Sequence, residues 1–471
     1  MRLADLAGID SDSLVTGFAI DHRKVAPGTV FGAFRGTIFN GEDFIPAAVA
    51  AGAVAVVARP DVTVEGAVHI AAEEPRREFA RLAARFFAPF PATVIAVTGT
   101  NGKTSNVELC RQLWRLAGHP SASVGTLGVT TADEQVTTGL TTPDIVTFLT
   151  NTAGLQRMGI THLAFEASSH GLAQYRTEGL PVRAVAFTNL SRDHLDYHET
   201  MDAYFEAKMR LFTEVVDADG SAVVWMDDPR SQEVVRRCTE RGLTTITVGK
   251  AGETLRLVAR EPSQLGQTLT IEAGGRTRTV KLPLIGAYQA ANALTAAGLV
   301  IATGGDLDET LSHLGRVQPV RGRLERAVIT RAGAPLYVDY AHTPDAIEAA
   351  CQALRPHTEK RLITVFGAGG DRDQGKRAPM GEVATRLSDV VIVTDDNPRS
   401  EDPATIRADI LAGAASAIEV AGRKDAIARA LGMAASGDII LLAGKGHETG
   451  QIVGDRVLPF DDALVARECA A

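Results

Sequence analysis

Cysteine is scarce in this chain of 471 residues, and its four copies, Cys110, Cys238, Cys351 and Cys469, are scattered with no close pair. That excludes a disulfide framework and a thiolate zinc cluster, and it fits the reduced thiols of a cytosolic protein. A basic excess is missing as well. The chain has 48 Lys and Arg against 57 Asp and Glu, a formal charge of -9, which excludes a broad nucleic-acid footprint but leaves room for a local phosphate pocket. Long apolar runs are absent: the greasiest stretch, Ala47 to Ala58, is alanine-rich, broken by Gly52 and too short for a bilayer. The N-terminus, Met1-Arg2-Leu3-Ala4-Asp5, carries acid early and lacks an apolar core, so no signal peptide is expected. Low-complexity tracts and short-period repeats are lacking too. What remains is a globular composition, 45% apolar and 22% charged, on a chain long enough for two to four domains. A soluble, cytoplasmic protein without membrane insertion is expected.

What is there begins with one stretch. Val94-Ile95-Ala96-Val97 leads into Thr98-Gly99-Thr100-Asn101-Gly102-Lys103-Thr104, and Val107, Leu109, Leu113, Trp114 and Leu116 then recur at roughly helical spacing. Strand, glycine-bearing turn and helix are the context a phosphate-binding loop requires, with backbone N–H groups and the helix N-terminus aimed at phosphates. Lys103 would add a charge at the terminal phosphate, and the Thr104 hydroxyl would hold Mg²⁺. The usual first glycine is replaced by Val97, so this is a shorter variant of the loop. The chain is expected to handle a nucleoside triphosphate.

Around this stretch the chain reads as three α/β units. Residues 1–90 hold strands at Val30–Phe34 and Ala53–Val57, each preceded or followed by turn segments, and end at the proline-punctuated Phe86 to Pro91. Asp21-His22-Arg23 and Gly36 to Gly41 both follow strands, where ligand loops sit, although each taken alone reads as a turn. Residues 91–318 alternate helices with strands at Thr161–Glu166, Ala184–Thr188 and Ala222–Met226, which implies a mostly parallel sheet. Leu255 to Leu284 alternates like antiparallel strands, and Tyr288 to Thr303 reads as a small-residue helix carrying Asn292. After Gln318 to Arg323, residues 319–471 repeat the alternation with strands at Leu336–Tyr340, Leu362–Phe366, Val390–Thr394 and Ile439–Ala443. Each ends in a polar loop on the carboxyl edge of the expected sheet.

Chemistry-bearing residues gather at these strand ends. Glu166 closes its strand where a Mg²⁺ ligand is needed. The next strand runs into Asn189 to His198, with two histidines and two aspartates close together. On a helix, Met201, Tyr204, Phe205, Lys208, Leu211 and Phe212 share one stripe, which puts a lysine on an apolar face. Snorkelling accounts for such a lysine; so does burial as a neutral amine, which can take up CO₂ and become an anionic carbamate.

Together, Thr98 to Thr104, Glu166, Asn189 to His198 and Lys208 resemble the Mur ligase family, and the resemblance spans all three units. It implies an N-terminal α/β uridine-nucleotide domain, a central P-loop ATPase-like parallel-sheet domain and a C-terminal Rossmann-like domain. The lysine matching Lys208 is carbamylated in that family and supports a second Mg²⁺ beside the histidine matching His194. The resemblance therefore implies Lys103, His194 and Lys208 as catalytic, and Thr104, Glu166, His194 and Lys208 as metal ligands for two Mg²⁺ ions. For ATP it implies Gly99 to Thr104, Asn292, Arg323 and Asp339, the last opening Asp339-Tyr340-Ala341-His342-Thr343-Pro344. Thr141, Thr142, Ser168, Gln174 and Arg176 match the sugar- and peptide-contacting segments, and His22 and Thr37 align with the uridine loops. Two departures are Gln289, where asparagine is usual, and His22, where serine is common.

The third unit speaks to the incoming amine. Arg399 follows Pro398 in Thr394-Asp395-Asp396-Asn397-Pro398-Arg399, and a rigid guanidinium suits bidentate capture of a carboxylate. Arg372 lies in a Gly-rich loop at the same edge, while Gly444-Lys445-Gly446-His447-Glu448 brings a carboxylate able to hold an ammonium. Arg372, Asp396, Asn397, Pro398, Arg399, Gly444 and Glu448 would thus receive an amino acid with both charges at its far end. This resembles the branch adding meso-diaminopimelate to UDP-N-acetylmuramoyl-L-alanyl-D-glutamate. ATP-dependent amide ligation by a monomer is expected, with small-molecule substrates and no nucleic-acid partner. A lysine-adding or folylpolyglutamate-like ligase of the same fold, or an inactive nucleotide-binding scaffold, are the alternatives.

Overall fold

The computed structural model describes residues 1–36, 39–137, 139–263 and 265–470. Contacts divide the chain into two compact units: Met1–Arg256 with Leu294–Thr310, and Leu257–Ala293 with Leu311–Ala471.

The first unit opens with four parallel strands paired in chain order, β1 (Gly17–Ala19), β2 (Thr29–Gly32), β3 (Ala53–Ala58) and β4 (Val68–Ala71). The helix Pro75–Phe87 covers them, Pro75 supplying a preset first helical position. Its Phe79, Leu82 and Ala83 join one continuous core with Val94, Phe165 and Phe187. Arg77 on the same helix donates to Glu178 Oε1 at 2.9 Å.

A larger sheet follows: β5 (Thr93–Thr98), β6 (Ser121–Gly125), β7 (Gly128–Thr130), β8 (Gln135–Val136), β9 (His162–Glu166), β10 (Val182–Phe187), β11 (Val216–Trp225) and β12 (Thr244–Gly249). Within this unit the order is β12-β11-β10-β5-β9-β6-β7-β8, parallel from β12 to β6. Strands β10, β5, β9 and β6 are buried over most of their length, as strands covered on both faces are, with Arg183 near the start of β10 exposed. β11 starts at Val216, earlier than the apolar run at Ala222 predicts. Val182 pairs with Val216 and Ala184 with Ser221, so the turn-forming Asp217 to Gly220 bulges out of the ladder without ending the strand.

Strand β13 (Leu255–Ser263) begins beside β12 and passes into the second unit, where β14 (Gly266–Ala273) and β15 (Arg276–Leu282) form an antiparallel hairpin. The sheet of that unit orders β16 (Arg323–Ile329), β17 (Pro335–Asp339), β18 (Leu362–Phe366), β19 (Val390–Val393), β20 (Ile418–Glu419) and β21 (Ile439–Ala443) as β16-β17-β21-β18-β19-β20. Only β16 runs antiparallel. Apolar cores lie on both faces, one around Phe366 and Met380 and the other around Val365 and Ile427. A small hairpin of β22 (Gly450–Val453) and β23 (Arg456–Pro459) follows. No helix among the described residues is long and apolar enough to cross a membrane.

Candidate active site

Strands β10, β5, β9 and β6 are neighbours, and their carboxyl ends bring the loops at 188, 98, 166 and 125 to one edge. The β5 loop turns through Gly99 at φ 146° and Gly102 at φ 87°, and the helix Lys103–Leu116 begins at once. Both glycines hold backbone shapes that a side chain disfavours. A Cβ at Gly99 would also meet Thr188 Oγ1 at 1.9 Å.

Asn189 latches this loop. Its carbonyl accepts from Thr100 N–H at 2.9 Å, and its Oδ1 accepts from Asn101 N–H at 2.9 Å. The Thr188 hydroxyl donates to Asn101 O at 2.6 Å. Lys103 folds back, its ammonium donating to Gly99 O at 2.9 Å and Thr100 O at 2.8 Å.

Lys208 is brought to the same carbonyl. It lies 1% exposed on the helix Met201–Arg210, donates to Gly99 O at 2.8 Å and sits 4.2 Å above the Tyr204 ring. Tyr204 in turn donates to Thr100 Oγ1 at 3.3 Å. Burial first, and the Lys103 ammonium second, push Lys208 well below the ordinary lysine range; Asp193 opposes them. Of the two explanations the sequence leaves open, burial holds and snorkelling does not.

Glu166 is buried and held by Thr126, whose N–H donates to Oε1 at 2.7 Å and whose hydroxyl donates to Oε2 at 3.2 Å. Gly125 lies so close that a Cβ there would fall 2.1 Å from Glu166 Oε1. His194 has φ 53°, its ring 3.5 Å from Asp193 Oδ2 and edge-on to His170 at 4.9 Å between centroids. No group of three or more His, Cys, Asp or Glu among the described residues is placed to hold a metal alone. Mg²⁺ asks for less, taking most ligands from water and phosphate, so a hydroxyl and one or two anionic oxygens fit it.

Five of the expected substrate residues form one cluster. Thr141 Oγ1 lies 3.0 Å from Thr126 Oγ1, and Thr142 Oγ1 donates to Glu166 O at 2.9 Å and lies 3.0 Å from Ser168 Oγ. Arg176 donates to Thr142 O at 2.8 Å and doubly to Gln174 Oε1, while Gln174 Nε2 donates to the Tyr197 hydroxyl at 3.2 Å. The Ser168 hydroxyl also caps a short helix by accepting from Gly171 N–H. His22 is placed elsewhere, beside the four-stranded sheet, stacked on Phe44 at 4.4 Å and 3°. Thr37 lies outside the described residues.

In the second unit, β17, β21, β18 and β19 are neighbours and collect the loops at 340, 444, 367 and 394. Asp339 accepts from Leu324 N–H at 2.7 Å and Ala341 N–H at 2.9 Å. Burial lifts its carboxyl to about 6 against the Arg323 charge and these hydrogen bonds. Arg323 lies over the Tyr340 ring at 4.8 Å. Gln289 donates to Arg323 O at 3.0 Å and accepts from Asn292 Nδ2 at 3.2 Å, so the departure from asparagine ties two expected nucleotide residues together.

Arg399 adopts φ 51°; its N–H donates to Ile452 O at 3.1 Å and its NH1 to Gly370 O at 2.7 Å, and no carboxylate among the described residues pairs with it. Asn397 Nδ2 donates to Glu448 Oε2 at 2.8 Å. Asp396 lies against Gly444, where a Cβ would fall 2.6 Å from Asp396 Oδ2. Exposed Arg372 borders the same edge, near enough to Asp371 for their charges to interact. The sequence reading missed Thr126, and it named Asn189, Gln289 and Lys445 without giving them these roles. Asn189 carried a signal, a side-chain amide directly after a buried strand; Thr126 acts on distant Glu166, while Gln289 and Lys445 each join a near partner, Asn292 or Glu448, to a distant one, Arg323 or Asn397.

Residues 14–91 match the Mur ligase family catalytic domain, 97–300 the Mur ligase middle domain and 322–446 the Mur glutamate ligase domain. The chain belongs to the Mur ligase family. It is 59% identical over 463 residues to the UDP-N-acetylmuramoyl-L-alanyl-D-glutamate--2,6-diaminopimelate ligase of Zymomonas mobilis, covering 98% of this chain and 95% of that one. A solved structure of a ligase of the same name has a TM-score of 0.76 and 31% identity, covering 100% of this chain and 98% of the other. A MurF ligase from Thermotoga maritima, solved with ADP, shares the fold at a TM-score of 0.61 and 22% identity, covering 93% and 95%.

Proposed function

We propose that this chain joins meso-diaminopimelate to the D-glutamyl γ-carboxylate of UDP-N-acetylmuramoyl-L-Ala-D-Glu, converting ATP to ADP and phosphate, as a step in peptidoglycan precursor synthesis. The observation that carries the choice of amine is Arg399, a guanidinium that forms no ion pair with a carboxylate among the described residues, at the sheet edge where Glu448 also ends. A distal centre bearing both a carboxylate and an ammonium answers both; L-lysine, with the ammonium alone, would leave Arg399 desolvated and unpaired.

Residues 1–90 serve the nucleotide sugar, 91–318 ATP, and 319–471 the amino acid. The γ-carboxylate oxygen attacks the terminal phosphorus, the bond to the ADP oxygen breaks, and an acyl phosphate forms. The amine of diaminopimelate then attacks the acyl carbon and loses a proton, and phosphate leaves with its electron pair. Gly99 to Thr104 cradle the phosphates, and Lys103 swings from its own loop carbonyls to the transferring phosphoryl group. Thr104, Glu166, His194 and a carbamate on Lys208 would hold two Mg²⁺ ions, which when bound offset charge on the phosphoryl oxygens. A neutral Lys208 amine is the form that accepts CO₂, and the resulting anion faces the Lys103 cation. Thr141, Thr142, Ser168, Gln174 and Arg176 orient the dipeptide, with His22 and Thr37 at the uridine end. Asn292, Arg323 and Asp339 contact the nucleotide.

Phosphate release from ATP with UDP-N-acetylmuramoyl-L-Ala-D-Glu tests the reading. Release with meso-diaminopimelate and not with L-lysine is expected; release with lysine alone overturns the substrate assignment, and release with neither overturns the activity. Arg399→Ala should weaken diaminopimelate use far more than ATP use, and an equal loss of both would make Arg399 structural.

A further inference from the structure

Lys445 stands between two of the residues assigned to the amino acid, yet it is itself fully buried. Its ammonium donates to Asn397 Oδ1 at 3.1 Å and to Glu448 Oε2 at 3.1 Å. Asn397 is committed at both ends of its amide: Oδ1 also accepts from Ile452 N–H at 3.0 Å, and Nδ2 donates to Glu448 Oε2. The three side chains form a closed triangle on Glu448 Oε2. Glu448 Oε1 stays unbonded among the described residues, on a side chain that is 33% exposed. Asn397 thus orients Glu448, and Lys445 orients both.

The triangle also sets charge. Glu448 can accept a ligand ammonium, but its negative charge is already balanced by Lys445. The neighbouring Arg423 is engaged chiefly by Asp462, which holds it at 2.7 and 2.6 Å, with Asp396 3.7 Å away. At this edge Arg399 and Arg372 are guanidiniums that no ion pair among the described residues engages, with Asp371 near enough for its charge to interact with both. A distal centre with carboxylate and ammonium together matches that balance, whereas a lone ammonium meets an offset acceptor and an unpaired guanidinium.

We propose that Lys445 is a positioning and specificity-determining residue: its buried ammonium fixes Asn397 and Glu448 and cancels the Glu448 charge, so that the subsite selects a zwitterionic distal centre over a lone ammonium. The inference rests on the diaminopimelate reading. It predicts that removing the charge while leaving the space filled turns Glu448 into an attractor for lysine.

The test is steady-state phosphate release by Lys445→Met, Lys445→Gln and Lys445→Arg, each with meso-diaminopimelate and with L-lysine, alongside thermal unfolding. Met fills the space without charge, Gln can still donate hydrogen bonds without charge, and Arg keeps the charge. The expected result is a rise of roughly tenfold or more in the ratio of kcat/KM for lysine to that for diaminopimelate in the Met and Gln variants. KM for ATP should hold steady, and the Arg variant should return the ratio towards wild type. An unchanged ratio in both neutral variants, or diaminopimelate and ATP parameters falling together, overturns the proposal. Loss of cooperative unfolding in both neutral variants makes Lys445 a folding residue and overturns it equally. Failure of the diaminopimelate reading shows separately, as wild-type protein that does not turn over diaminopimelate.

Discussion

Replacing Lys208 by Met separates catalysis from stability more sharply than any other single change. The Met side chain fills nearly the same volume on the same apolar stripe. Gly99 O is not orphaned, because Lys103 still donates to it at 2.9 Å. The lost hydrogen bond is worth ~1 kcal/mol. Against it stands the cost of burying an amine. The folded pKa of Lys208 lies below its ordinary 10.5 because of burial and Lys103, so the unfolded chain binds more protons between those values and native stability rises with pH across that window. The cost is fully present below the folded pKa. Lys208→Met removes it, so the variant should unfold at or above the wild-type temperature near neutrality, and its relative advantage should fade as pH approaches 10.5. Activity should behave in the opposite way. Loss of the proposed carbamate, and with it of a ligand for the Mg²⁺ that would offset phosphoryl charge, should cost ~3–4 kcal/mol, a fall of ~10²–10³-fold in kcat. Thermal unfolding across pH, together with phosphate release at saturating substrates, reads both. In Lys208→Ala, which leaves room, added short carboxylates should restore part of the rate. Turnover by Lys208→Met within a few-fold of wild type would refute the role assigned to Lys208.

Three further predictions follow from the geometry. Gly125→Ala places a methyl group 2.1 Å from Glu166 Oε1 and should drive that carboxylate off Thr126, costing ~1–3 kcal/mol and raising the Mg²⁺ concentration for half-maximal activity ~10-fold or more; an unchanged Mg²⁺ requirement would remove Glu166 from the metal set. Asp339, lifted from 3.8 to about 6, binds its proton more tightly when folded, so wild-type stability relative to Asp339→Ala should fall as pH rises from 4 to 6, by up to about 3 kcal/mol, and level off above; urea unfolding at several pH values checks this, and a flat difference would contradict it. Asp462→Ala strands the fully buried Arg423 and should cost ~3–5 kcal/mol, most of it regained in the double variant with Arg423→Met; denaturant midpoints for the two variants decide between an unpaired charge and simple loss of packing.

The elements most legible in the sequence were those with local causes. The apolar β-branched run before Thr98, Gly102 ahead of Lys103, and the stripe of Tyr204, Phe205, Lys208 and Phe212 each point to their structure from neighbours a few positions away. Strand ends carrying Glu166, Asn397 and Glu448 were legible too, because the α/β alternation sends every such end to one sheet edge. Strand β11 was misjudged because Asp217 to Gly220 has turn chemistry, and only pairing with β10 carries the chain past it as a bulge. Thr126 gave no local sign of its role, since it acts on Glu166 far along the chain, and Gln289 joins near Asn292 to distant Arg323.

The sequence by itself determined the family, the alternation of strands and helices, the glycine-bearing turn before Lys103 and the residue types at each strand end, because these depend on local periodicity and short motifs. Tertiary structure alone decided that Lys208 is buried rather than snorkelling, that Asn189 ties down the turn at Thr100 and Asn101, and that Lys445 closes on Asn397 and Glu448. Burial and long-range hydrogen bonding depend on which strands become neighbours. That adjacency follows from packing the whole sheet and not from any window of the chain.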